Sequence, residues 1–181
     1  MIPDKNRCLN LLIKYQVPEN KRRHLELVAK VADYISQKLE ARGWKLDRNL
    51  LIAAALLHDI DKAVDKLPGE KHPDTAVRIL KSEGLDEVAD LVRTHPLHLI
   101  LDPVKAPKTI EQKILYLSDK MVKYAVIGVD ARFKLWNDEN LPGEEQQILD
   151  RSYPLVKLLE TEILEKYGIT PAEITSQVDS K

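Results

Sequence analysis

Leu50-Leu51-Ile52-Ala53-Ala54-Ala55-Leu56-Leu57 is an unbroken run of eight apolar residues that leads straight into His58-Asp59. Asp47, just upstream, is a good N-cap, so the run reads as a helix beginning there. A helix apolar on every side has no face to offer water and belongs at the centre of a fold. Eight residues fall well short of the roughly 20 that a membrane span needs.

Outward from this segment, helical periodicity dominates and no alternation of period two is found. Upstream, helices are expected over residues 4–15, closed by Val17-Pro18, and 19–42, stopped at Gly43. Val28, Val31 and Ile35 form the apolar stripe of the second, and His24 lies on that stripe. Downstream of a loop at 65–71, a helix opens near His72-Pro73 and stops at Gly84, and another spans 86–94, broken by Pro96. Residues 95–107, with three prolines, read as a loop. A long helix is expected over 109–126, its stripe of Leu115, Val122 and Val126 shared by Asp119. A helical piece around Phe133 to Trp136, a helix over 144–167 with Pro154 as a place for a kink, and a frayed tail after Thr170-Pro171 complete the chain. The expected fold is all-α, an irregular helical bundle in one domain over 1–181, with its core at about 20–126 and C-terminal helices of 130–178 packed on it. Leu155, Leu158, Leu159 and Ile163 share one face of the last long helix. That face can pack on its own bundle or on a second subunit, which leaves a homodimer open.

Of the 181 residues, 44% are apolar and 31% charged, enough for both a core and a solvated surface. The net charge of −1 gives no overall basic field pointing to nucleic acid, so no nucleic-acid polymer is expected as a partner, and no membrane either. The average hides a gradient: +5 over residues 1–48, zero over 49–136 and −6 over 137–181. Lys21, Arg22 and Arg23 therefore either sit near an anionic ligand or lie on solvated faces. Cys8 stands alone, which excludes an intrachain disulfide and makes a reducing cytosol the default. The first residues lack the basic-then-apolar pattern of a signal peptide. A soluble cytoplasmic domain is the expectation.

The chain has five histidines: His24, His58, His72, His95 and His98. No Ser or Cys stands in a nucleophile setting, and there is no Gly-rich phosphate loop. The first four histidines fall on apolar stripes or at the end of the apolar helix, and Asp59 and Asp119 join them. Buried imidazoles and carboxylates need partners. A divalent cation would satisfy them together, and N and O donors suit Fe, Mn, Ni, Co or Zn.

His24, then Leu56-Leu57-His58-Asp59-Ile60-Asp61-Lys62, then Asp119 within Ile114-Leu115-Tyr116-Leu117-Ser118-Asp119-Lys120, resembles the HD-domain (HDIG-type) phosphohydrolase superfamily. The resemblance covers about residues 20–126, with 33 residues between His24 and the pair and 59 between the pair and Asp119. His72 in His72-Pro73 and His95 in Arg93-Thr94-His95-Pro96 match the extra positions of its two-metal subgroup. Within that subgroup the chain is similar to bacterial dinucleoside-tetraphosphate hydrolases and to HD-GYP phosphodiesterases, without the His-His-Glu and Gly-Tyr-Pro signatures of the latter. Asp61 stands where the motif usually has Gly.

The resemblance implies an all-α bundle binding two divalent metals per chain, Fe, Mn or similar, with Zn, Ni, Co or Mg as alternatives. Asp59 would bridge them, with His24, His58 and Asp119 on the first and His72 and His95 on the second. It further implies a phosphohydrolase that cleaves a phosphomonoester, phosphoanhydride or phosphodiester bond of a small phosphorylated substrate, a nucleotide, with metal-activated water as nucleophile. Asp59 and Lys62 would be the catalytic residues, and Lys62, His98 and Lys21 would contact substrate. The alternative is an HD-like module that binds a nucleotide or a protein without turning it over.

Overall fold

The computed structural model describes residues 1–179. Among them the chain forms nine α-helices, and the only β-type pairing is an isolated bridge between Val122 and Val126. The apolar run is α3 (Arg48–Leu57), with the Asp47 carboxylate accepting from Leu50 N at 2.9 Å. Leu51 and Ala53 through Leu57 are all buried. Around α3 pack α1 (Lys5–Lys14), α2 (Glu19–Glu40), α5 (Asp86–Val92) and α6 (Ile110–Lys120), while α4 (Asp74–Ser82) lies against α5. Three consecutive alanines give α3 little bulk, so its neighbours come close and bring the ends of their own helices near His58. The fold is all-α, as the periodicity implies.

Several boundaries depart from the sequence reading. The helix expected to reach Val126 ends at Lys120, because the backbone turns there: Ile127 N and Gly128 N both donate to Met121 O, at 2.9 and 3.1 Å. Gly128, at φ 80°, then opens α7 (Gly128–Asp138) in a conformation that side chains with a Cβ avoid. The expected loop at 95–107 contains a 3-10 turn, Leu97–Leu101, which buries Leu99 and packs on α8 (Gly143–Ile163). Pro154 lies within α8. The tail expected to fray is α9 (Pro171–Asp179), docked on α2 with Ile174 and Val178 buried and Glu173 bonded to Tyr34 and Lys38. On α8, Leu159 and Ile163 are buried, whereas Leu155 and Leu158 are exposed. None of the described helices is long and apolar enough to cross a membrane.

Candidate metal centre

His24 comes from the first turns of α2, His58 caps α3 and carries Asp59 just past it, and Asp119 lies in the last turn of α6. His72 precedes α4, and His95 follows α5. These six residues from five segments converge. The ligating atoms of His24, His58 and Asp59 lie within 4.8 Å of one another, as do those of Asp59, His72 and His95. Asp119 Oδ1 joins the first group, 3.1 Å from His24 Nε2 and 3.5 Å from His58 Nε2. All of them except His58, which is fully buried, line one cavity of about 360 Å³. Lys21, Lys62 and His98 line it too, while Arg23 is exposed to solvent.

The orientation of the rings is set from behind. His58 Nδ1 meets Ala55 O at 2.9 Å, His95 Nδ1 meets Val92 O at 2.6 Å, and His24 Nδ1 meets Lys123 O at 3.3 Å. A carbonyl oxygen only accepts, so in each ring Nδ1 carries the proton, and in the neutral ring Nε2 is left as a lone pair. His72 Nδ1 lies farther from a partner, 3.7 Å from Asp61 Oδ2. All four Nε2 atoms turn toward the carboxylates: those of His72 and His95 lie 2.9 Å apart, and each is 3.7 Å from Asp59 Oδ1. His58 Nε2 is buried without a hydrogen-bond partner. Cis ligands about 2.1 Å from one cation stand about 3 Å apart, so this donor set fits a divalent metal.

The charge states agree with ligation. Burial disfavours ionising Asp59, yet His95, His58 and Lys62 outweigh it and hold the carboxyl well below its ordinary range. Burial likewise opposes charge on Asp119, but Lys120, His24 and His58 keep it ionised. His95 is pushed down to about 4, first by burial and then by the neighbouring His58 and His72, against the pull of Asp59. It is neutral at physiological pH, the form that binds metal. His58 is the exception: burial opposes its charge, but Asp119 and Asp59 beside it outweigh burial and raise its pKa, so a metal at its Nε2 would displace a proton.

Among the lining residues not anticipated from the sequence are Lys120, Lys123, Tyr124, Arg132 and Trp136. Lys120 is buried, its ammonium 2.7 Å from His95 O and 2.5 Å from Asp119 Oδ2. The Arg132 guanidinium lies 4.2 Å from the Trp136 ring centre. Their i, i+4 spacing on one helix was the available signal; nothing in the sequence marks Tyr124.

The family described as HD domain matches residues 22–123. A tRNA (cytidine(56)-2'-O)-methyltransferase of Thermoplasma volcanium is 33% identical over 146 residues, covering 75% of this chain and 40% of that protein. The protein of the same name from Picrophilus torridus is 30% identical over 152 residues, covering 77% and 42%. The chain thus spans about two fifths of the length of these curated relatives. No solved structure matches it.

These relatives overturn two expectations. They are named for methylation of RNA, not for hydrolysis of a nucleotide, so the phosphohydrolase assignment is withdrawn. Their named substrate is a tRNA, so the exclusion of a nucleic-acid polymer as partner is withdrawn as well. The ligand pattern specifies a metal site without specifying a reaction. The net charge of −1 averages an acidic C-terminal segment with a cavity rim rich in lysine and arginine. What the match over residues 22–123 does establish is kinship: the chain belongs to the HD domain family.

Proposed function

We propose that this HD domain is a metal-holding, RNA-binding unit serving tRNA ribose methylation. The observation that carries the reading is the convergence of cationic side chains, Lys21, Lys62, Lys123 and Arg132, on the cavity that holds the six metal-ligand candidates. The relatives' names supply the RNA. His24, His58, Asp59 and Asp119 would hold one divalent cation and Asp59, His72 and His95 a second, both in one domain over 1–181. Imidazole and carboxylate donors suit Fe or Mn. Two such cations bring four positive charges against the three carboxylates Asp59, Asp61 and Asp119, a surplus before any lysine is counted. When bound, they supply charge for phosphate oxygens. Lys62, 3.1 Å from Asp59 Oδ1, sits where it can pass from that carboxylate to a phosphate, and Lys21 and His98 extend the contact along the rim. A site with these donors is suited to cations and phosphates rather than to a methyl donor. Methyl transfer itself is assigned to the part of the relatives that this chain does not span.

The test is binding of a tRNA transcript by fluorescence anisotropy, with Mn²⁺ and after chelation, alongside elemental analysis. Metal-loaded protein should bind the tRNA, and chelation or Asp59→Asn should weaken binding at least tenfold. Because Asp59 belongs to both clusters, Asp59→Asn should lose both metals, whereas His72→Ala should keep one. Failure of the loaded protein to bind tRNA, or equal binding once the metal is gone, would overturn the reading.

A further inference from the structure

The wall of the cavity formed by α7 and the turn before it has a character of its own. Arg132 Nε and Nη1 are buried and meet no acceptor, and the side chain has no ion-pair partner among the described residues. Burial pushes the guanidinium pKa down, and Asp119 and Glu139 answer only through their field. A half-buried cation left short of acceptors is costly unless an anion comes to it. The group is also held still. It lies over Trp136, whose ring stands edge-on to the buried Phe133 with centroids 5.2 Å apart. Across the same cavity, Tyr124 is 70% exposed on the turn between α6 and α7, with Lys123 Nζ 5.6 Å from its ring centre. An exposed aromatic ring beside cations and a metal-ligand cluster has the composition of a single-strand nucleic-acid site, where phosphates meet positive charge and bases stack on rings.

We propose that this wall is a nucleotide subsite for an RNA strand, in which Arg132 takes a phosphate and Tyr124 stacks a base that has left its helix. The assignment rests on the RNA-binding reading above and adds to it the part of the RNA that is held: one unstacked nucleotide beside the metal centre. Trp136 and Phe133 serve by holding the planar guanidinium in place at the cavity wall.

Three variants, each with metal content checked, separate the roles, with tRNA and inorganic tripolyphosphate as probes. Tyr124→Ala should weaken tRNA binding about tenfold, the scale of one lost base stack, and leave tripolyphosphate binding unchanged. Tyr124→Phe, which keeps the ring, should bind tRNA like the wild type. Arg132→Gln should weaken both probes at least tenfold. The inference is overturned if Tyr124→Ala binds tRNA within twofold of the wild type, if it loses tripolyphosphate in parallel, if Tyr124→Phe does not restore binding, or if Arg132→Gln keeps both probes. A wild-type protein that ignores tRNA would remove the broader reading and this one with it. Normal wild-type binding with an indifferent Tyr124 would remove only this one.

Discussion

Lys120→Met is the most informative single change at the centre, because Lys120 touches both halves of it. The ammonium is nearly inaccessible and donates to His95 O and Asp119 Oδ2, at 2.7 and 2.5 Å. Methionine keeps the apolar stem but takes the ammonium from over the Tyr116 ring and leaves the Asp119 carboxylate without its nearest cation and the His95 carbonyl without a donor. Removing one partner of a buried ion pair costs about 3–5 kcal/mol, a large share of the ~5–15 kcal/mol that holds a domain together. With a divalent cation at Asp119, that carboxylate is neutralised from the other side. Only the orphaned carbonyl then remains, at about 1–3 kcal/mol. The metal should therefore stabilise the variant by ~2 kcal/mol more than it stabilises the wild type. Equivalently, Mn²⁺ should bind the variant roughly thirtyfold more tightly. Urea denaturation followed by far-UV circular dichroism, with and without Mn²⁺, reads the first quantity, and calorimetric titration reads the second. Equal destabilisation in both conditions would show that Asp119 does not face the cation, and the assignment of the first metal position would fail.

Three further outcomes follow from features outside the centre. Ile174 is fully buried where α9 meets α2, so Ile174→Ala should cost about 2–3 kcal/mol in equilibrium unfolding; no loss would mean α9 does not dock. Burial, with Asp4 nearby, pushes the Cys8 thiol up to about 12, so a disulfide reagent should leave the native protein unlabelled and react at once in urea. Fast stoichiometric labelling of the native protein would contradict that placement. Glu70 is held down to about 2, first by Arg78 and then by Leu67 N–H and the Thr75 hydroxyl. A carboxyl whose folded pKa is depressed contributes its stability in full above its ordinary value and loses it as pH falls through the folded one. The Tm advantage of wild type over Glu70→Gln should accordingly shrink between pH 4.5 and about 2, and an unchanged gap across that window would refute the pairing.

The sequence reading reached furthest where burial and chemistry coincide. The core helix was legible because Leu50 to Leu57 has no polar face, and the ligand candidates because imidazoles on apolar stripes ask for a partner. The end of α6 was misjudged because Val122 and Val126 continue the stripe on paper, whereas the chain has already turned back at Met121. The 3-10 turn at Leu97–Leu101 was hidden by the prolines around it. The helix α9 was hidden because a nine-residue helix owes its order to docking rather than to propensity. Tyr124 and Arg132 escaped for a different reason: a side chain's nearness to a distant cluster is a property of the tertiary fold. The reaction was misread because a ligand pattern states what can be held, not what is done with it.

Three of the imidazoles, those of His24, His58 and His95, are anchored at Nδ1 by backbone carbonyls before any cation arrives, and they belong to segments that lie far apart in the chain, with 33 residues between His24 and His58 alone. A metal held at their free nitrogens and at Asp119 would therefore be a detachable cross-link: it would tie α2, α3, the segment after α5 and α6 together at once, and unfolding would have to wait for its departure. The domain's resistance to proteolysis would then track the supply of the ion, and a cell short of it would clear the unloaded protein first.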